Sequence, residues 1–193
     1  MSLRELVEGW RSRAGGVPAL LAAHVAHESI EALDRIHALE DADGPLHVVH
    51  GDIGPDNMLI GPIGQIGLID LGAARWRGMD ADLITADRGT LPFVAPEVAR
   101  GDEAPSAAAD VYALAATLLY VATGLSPVDT SEPAAMLIEV GERGVRVDRV
   151  EQSAAFTPEQ RRALAAALAF DRGARVATVG ALRAAFAGSP PRE

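Results

Sequence analysis

His50-Gly51-Asp52-Ile53-Gly54-Pro55-Asp56-Asn57, followed after two short apolar runs by Asp70-Leu71-Gly72, is the stretch on which the reading of this chain turns. The two parts spell H-x-D-x-x-x-x-N and D-x-G. They place an acid that can take a proton beside an amide, and they bring in a second acid that can hold Mg²⁺. Phosphoryl transfer asks for that combination, because its chemistry is mostly positioning and charge neutralisation. Asp52 lies two residues past His50, and Asn57 five residues further on. A loop of that size can return Asn57 toward the cavity that Asp52 faces. Oxygen ligands from Asn57 and Asp70 suit Mg²⁺, which accepts two protein ligands with water and phosphates completing its shell.

Outward from this stretch, the chain punctuates itself clearly. Leu46 to Val49 is predicted to be a short buried strand leading into the His50 loop. Met58 to Ile60 and Gln65 to Ile69 are predicted to be two strands joined at Gly61-Pro62-Ile63-Gly64, a hairpin. Upstream, Leu3, Leu6, Val7 and Trp10 follow the i, i+3, i+4, i+7 stripe of an amphipathic helix, which Gly15-Gly16 ends. A longer helix is expected from about Pro18 to Leu39, with Leu21, Val25, Leu33 and Ile36 on its buried side, and a turn from Asp41 to Pro45. Downstream, Asp70 to Glu97 shows no period and is expected to be a long functional loop. The remainder is helical: about Ser106 to Thr123, Pro133 to Glu142, a helix opened by the capping box Thr157-Pro158-Glu159-Gln160, and about Thr178 to Ala187. The strands are too few and too short for a central sheet. They can only form a platform that presents the two acidic motifs, so the fold class is mainly α. One domain is expected over residues 1–188, with a loose tail at 189–193.

Composition narrows the class further. The chain has 193 residues, 49% of them apolar, which suits one packed domain and not a disordered one. No apolar run reaches the eighteen or so residues of a membrane span, and no basic-then-apolar leader opens the sequence. Cysteine is absent, which excludes disulfides and thiolate metal sites and suits a reducing cytoplasm. A net charge of −10 argues against nucleic acid and against anionic membranes as partners. All 17 basic residues are arginine. No lysine of this chain can therefore hold a phosphate. His24 and His27, one turn apart, are expected to sit on a solvated or packed helix face and not to bind a metal. Trp10, Trp76 and Phe93 are too scattered to form an aromatic recognition surface.

With these motifs in order, the chain resembles the C-terminal lobe of a bacterial Ser/Thr protein kinase of the eukaryotic-like type, from about Leu3 to about Phe186. The resemblance implies roles residue by residue. Asp52 would be the catalytic-loop aspartate that accepts the substrate hydroxyl proton. Asn57 would be the metal-binding asparagine, and Asp70 the metal-binding aspartate of the D-F-G motif. Asp70, Gly72 and Leu59 would face the nucleotide. Gly89-Thr90-Leu91-Pro92-Phe93-Val94-Ala95-Pro96-Glu97 resembles the substrate-docking segment that ends in A-P-E, with Thr90 and Phe93 as docking residues. Asp110-Val111-Tyr112 resembles the start of the buried central helix, whose aspartate holds the catalytic loop. Arg175 stands where the family pairs an arginine with the A-P-E glutamate, here Glu97. His50 is expected to pack rather than react. The H-G-D form of the motif also resembles aminoglycoside and choline phosphotransferases. Those enzymes lack the Ala95-Pro96-Glu97 segment and the Asp110-Val111-Tyr112 helix start, so the protein-kinase resemblance is the better one.

The departures from the family carry functional information. Gly51 replaces the arginine that would bind a phosphorylated activation loop. Gly54 replaces the catalytic-loop lysine that would neutralise the γ-phosphate, and Leu71 replaces Phe. The glycine-rich loop, the strand lysine and its glutamate have no counterpart here, since the stretch before His50 is too short to hold a nucleotide-binding lobe. Loss of one preorganised charge-stabilising donor commonly costs ~10²–10³ in rate, roughly 3–4 kcal/mol. Two such losses would leave the chain ~10⁴-fold or more below a full enzyme. The expectation is a pseudokinase-type interaction or regulatory module without independent activity, which binds a protein partner or a second copy of itself over the face an N-lobe would cover. The alternative is the catalytic half, or a piece, of an ATP- and Mg²⁺-dependent Ser/Thr kinase completed by an N-lobe from elsewhere. ATP and Mg²⁺ are cofactors by resemblance only.

Overall fold

The computed structural model describes residues 1–80, 82, 89–176 and 178–187. The expected tail at 189–193, and 83–88 in the middle of the expected long loop, lie outside these described residues. Helix α1 (Leu3–Ala14) starts at a capping box. Ser2 Oγ accepts from the Glu5 backbone N–H at 3.2 Å, and Glu5 Oε2 accepts from the Ser2 N–H at 2.8 Å. It ends where Gly15 turns left-handed at φ 78°. Its buried residues are Leu3, Leu6 and Val7. Trp10, the fourth member of the predicted stripe, stays 38% exposed. Helix α2 (Ala19–His37) buries Val25 and Leu33 as predicted, together with Ala22, Ala26 and Ile30. Leu21 and Ile36 are only half-buried.

The hairpin stands where the sequence puts it. Strands β3 (Met58–Ile60) and β4 (Ile66–Leu68) pair antiparallel with Met58 opposite Leu68 and Ile60 opposite Ile66. Met58 and Ile66 are buried in the core that α2 shares, while Leu59 alternates to the open side. The chain start runs along β3: Ile60 N–H donates to Met1 O at 2.9 Å, and Ser2 bridges Leu59. The expected turn at 41–45 contains its own two-residue ladder, β1 (Glu40–Asp41) with β2 (Gly44–Pro45).

The predicted strand at 46–49 is not one. Only Val49 pairs, exchanging backbone bonds of 2.8 and 2.9 Å with Arg75, and Leu46 bonds to Leu39 and Arg77 instead. His47 interrupts the run with φ 50°, and none of the four residues is fully buried. An apolar run of this length has no periodicity that tells a strand from a packed irregular segment.

Helix α4 (Ala107–Thr123) is the centre of the molecule. Ser106 caps it, its side chain accepting from Ala109 N–H at 3.2 Å, and every residue from Ala108 to Val121 is buried. A helix apolar on all sides is one that other elements surround. Helices α2 and α7 (Pro158–Ala167) pack against it, α3 (Pro96–Arg100) packs on α5 (Pro133–Arg143), and α8 (Val179–Phe186) packs on α2 and α7. The Thr157–Gln160 capping box is present with both its bonds. A short helix the sequence did not announce, α6 (Asp148–Gln152), joins α5 to α7. One hydrophobic cluster runs from Leu3 to Phe186. Among the described residues no helix is long and apolar enough to cross a membrane.

Candidate active site

Helix α4 builds the site from beneath. Asp110, in its first turn and 2% exposed, accepts the backbone N–H of His50 on Oδ2 at 2.8 Å and that of Gly51 on Oδ1 at 2.9 Å. A buried carboxylate must be compensated by donors, and two amides of the His50 loop supply them. The loop is thereby fixed to the core helix, as the resemblance implied. The sequence reading missed a third partner: His37 Nε2, at the end of α2, lies 2.9 Å from Asp110 Oδ2. His37 and Asp110 are 73 residues apart, so no local spacing announces the contact.

His50 is fully buried. Its Nδ1 accepts from Asp52 N–H at 3.3 Å, which leaves the ring proton on Nε2, and that atom finds no partner among the described residues. The buried ring is thus tied to the backbone of its own loop at Asp52. Gly51 adopts φ 81°, and a Cβ there would sit 2.5 Å from Ala73 O. The glycine at this position is thus a steric requirement of this backbone as well as the loss of an arginine.

The loop then delivers Asp52 and Asn57 to one point. Asn57 Nδ2 donates to Asp52 Oδ2 at 2.8 Å and to Asp52 O at 2.9 Å. Thr90 Oγ1 donates to the other carboxylate oxygen, Oδ1, at 2.6 Å. Asn57 of the same motif and Thr90 of a separate one therefore meet on the Asp52 carboxylate. The absence of side chains at two glycines permits the approach. A Cβ on Gly54 would lie 3.3 Å from Thr90 Cβ, and one on Gly89 would lie 3.0 Å from Gly51 O. Phe93 does not share Thr90's position. It is 1% exposed, and its ring packs edge-on to Tyr120 with centroids 6.0 Å apart. It holds the 89–97 segment to the core and presents no docking surface of its own.

Asp70 reaches the same neighbourhood through the hairpin. Ile69 N–H donates to Asn57 O at 3.0 Å, so the register that pairs β3 with β4 sets Asp70 one residue past Asn57's partner. Asp70 is exposed and left-handed at φ 65°, a conformation uncommon outside glycine. Its Oδ1 accepts from Gly72 N–H at 3.2 Å and opens a single turn of 3₁₀ helix over Leu71–Ala73. Gly72, expected on the nucleotide side, thus supports Asp70. Leu59 is 37% exposed on the hairpin's open side, where an apolar ring could rest.

Glu97 and Arg175 form the predicted pair. Arg175 Nη1 and Nη2 donate to the two Glu97 oxygens at 2.6 and 2.9 Å, and the guanidinium lies 4.7 Å over the Tyr112 ring. Burial pushes the Glu97 carboxyl up, but hydrogen bonds from Arg175 and from the backbone outweigh it and hold the group below its ordinary range. Burial drives the Tyr112 hydroxyl well above its ordinary range, and its oxygen accepts from Val145 N–H at 3.1 Å.

Comparison with known proteins agrees with this geometry. The protein kinase domain matches residues 2–186. Mitogen-activated protein kinase kinase kinase 18 of Arabidopsis thaliana is 34% identical over 100 residues, 50% of this chain and 29% of that protein. The serine/threonine-protein kinase PknK of Mycobacterium bovis is 34% identical over 127 residues, 58% of this chain and 11% of that protein. The tyrosine-protein kinase MasK of Myxococcus xanthus is 31% identical over 168 residues, 79% of this chain and 26% of that protein. This chain spans less than a third of the length of each. A protein kinase domain matched over residues 2–186, on a fold in which Asn57 and Thr90 of two separate motifs both bond the Asp52 carboxylate, establishes that the chain belongs to the protein kinase domain family, with the mainly helical architecture of its C-terminal lobe.

Proposed function

We propose that these residues are the substrate-side half of an ATP- and Mg²⁺-dependent protein kinase that acts on serine or threonine. In this reading they transfer phosphate at a useful rate only when cationic, phosphate-holding groups come from chain outside them. The observation that carries the proposal is the doubly held Asp52 carboxylate. Each of its oxygens accepts one hydrogen bond, from Asn57 or from Thr90, and keeps a second lone-pair direction. A substrate hydroxyl set there gives its proton to Asp52 while its oxygen bonds to the γ-phosphorus and the bond to the β-phosphate oxygen breaks. Orientation by two fixed donors is what a base needs to act on one hydroxyl among many.

The donor set suits Mg²⁺. Asn57 commits its amide nitrogen to Asp52, which leaves Oδ1 as an oxygen donor, and the exposed Asp70 follows Ile69, whose N–H bonds to Asn57 O. When bound, the ion would neutralise phosphate charge. What is wanting among these residues is the remaining positive charge. The chain has no lysine, and none of the hydrogen bonds to Asp52 or Asp70 among the described residues comes from an arginine. The serine/threonine assignment follows the mycobacterial relatives. A cytoplasmic location belongs to the same proposal.

A second reading, a pseudokinase-type interaction module, is favoured by apolar side chains exposed around the site. Leu71 is 59% exposed, Leu59 37% and Met1 62%. They are the side chains that a second polypeptide, or another copy of this chain, would cover. Phosphate transfer to a protein substrate, measured with and without an added nucleotide-binding lobe, separates the two readings. Activity that appears on mixing and vanishes in Asp52→Ala supports the first, and stable association without activity supports the second.

A further inference from the structure

The turn that brings Asn57 back to Asp52 runs from Gly54 to Asn57, closed by the Asn57 N–H to Gly54 O bond of 3.1 Å. Its two corner residues are Pro55 and Asp56. Both are held by one residue of another element. Arg4, in the first turn of α1, donates its backbone N–H to Pro55 O at 3.1 Å. Its guanidinium forks onto Asp56, with Nε at 2.7 and 2.9 Å from the two carboxylate oxygens and Nη2 at 2.7 Å from Oδ2. The same guanidinium lies 5.8 Å over the ring of Tyr120 on α4, and Tyr120 in turn meets Phe93 in the segment that carries Thr90. Arg4 is thus tied to the turn that delivers Asn57 and, through Tyr120, to the segment that delivers Thr90. A planar fork on a carboxylate fixes angle as well as distance, which a single ammonium does not.

We propose that Arg4 is a positioning residue of the catalytic loop: its double hold on Pro55 and Asp56 sets the turn so that Asn57 closes on Asp52. The inference rests on the reading of Asp52 and Asn57 as the working pair, but its test needs no phosphate transfer. The alternative role is plain anchorage of α1, since the pair is partly exposed, at 32% and 47% for the two side chains. An exposed pair can contribute little to stability and still fix a geometry.

The test reads the side-chain amide of Asn57 directly, by ¹H–¹⁵N correlation spectra and amide hydrogen exchange on the full chain. Four variants are compared: Arg4→Ala, Arg4→Lys, Asp56→Asn, and the exchanged pair Arg4→Asp with Asp56→Arg. Glu5→Gln serves as the control, because it weakens the α1 capping box and does not touch the loop. In Arg4→Ala and Asp56→Asn the Asn57 amide signal moves toward that of an exposed asparagine, and its exchange quickens about fivefold. Arg4→Lys, which keeps charge but not the fork, behaves like the alanine variant, and the exchanged pair returns the signal toward its original position. The proposal is overturned if Arg4→Ala lowers the melting temperature and leaves the Asn57 signal in place. It is equally overturned if Glu5→Gln moves that signal as far. Should Arg4→Ala fail to fold, Asp56→Asn against Glu5→Gln decides the same question. Failure of the kinase reading would show as absent phosphate transfer, with this amide measurement unaffected.

Discussion

Asn57 and Asp52 are joined twice: the Asn57 side-chain amide donates to the Asp52 carboxylate at 2.8 Å and to the Asp52 carbonyl at 2.9 Å. In the proposed reading, the residue that would hold a metal therefore also orients the base. Asn57→Ala is expected to remove both bonds and strand the Asp52 carbonyl. The predicted loss is about 1–3 kcal/mol, visible as a lower urea midpoint with an unchanged slope. An unchanged midpoint would show that the pair does not stabilise the loop.

Asp110 gathers three donors in a buried place, the His50 and Gly51 amides and His37. Asp110→Ala leaves one buried and one half-buried backbone N–H group without its acceptor, at about 1–3 kcal/mol for the buried one. We expect a large drop in stability by chemical denaturation, and a smaller one for His37→Gln, which leaves both loop amides paired. Equal effects of the two variants would mean that the histidine, and not the backbone bonds, carries the support.

Gly51 holds a left-handed backbone against Ala73. Restoring the family's arginine with Gly51→Arg should therefore harm this chain, by about 2–3 kcal/mol from strain and overpacking together. Thermal unfolding of the variant tests this. A melting temperature equal to that of the unaltered chain would refute the steric account.

Glu97 gives the acid response. Its carboxyl sits below the usual 4.5 because Arg175 and the backbone outweigh burial. A depressed carboxyl adds stability that is complete above the usual value and is lost as pH falls through the folded value. Stability should thus decline below about pH 4.5. Glu97→Gln strands the buried Arg175 and costs about 3–5 kcal/mol near neutral pH. It should also flatten the acid limb. Urea midpoints measured from pH 7 downward for both chains test this, and a limb equally steep in the variant would assign the response to other carboxylates.

Much of the fold was legible because its signals are local. The Thr157–Gln160 capping box, the Gly61–Gly64 turn and the run from Ser106 to Thr123 each declare themselves within a few residues, and each stands where those residues put it. The motif residues were legible through resemblance, and the structure brings Asp52, Asn57 and Thr90 together and pairs Glu97 with Arg175. What escaped was non-local or decided by packing. His37 on Asp110 and Arg4 on Asp56 join residues 73 and 52 positions apart, and no spacing rule reports such meetings. Leu46 to Val49 looked like a strand because it is apolar, yet only Val49 has a bridging partner there. Trp10 kept the helical period but faces outward, because the period locates a face and not its limits. Phe93, placed by resemblance at a docking surface, is spent on the core.

The most direct test of the central claim is the rate of phosphate transfer to a serine- or threonine-containing protein, with ATP and Mg²⁺, by these residues alone and with a nucleotide-binding lobe added. The account predicts a rate alone ~10⁴-fold or more below an ordinary kinase. It predicts recovery on addition of the lobe, and loss of that recovery in Asp52→Ala. Turnover by the isolated residues at an ordinary 1–100 s⁻¹ or so, or full recovery with Asp52→Ala, would contradict it.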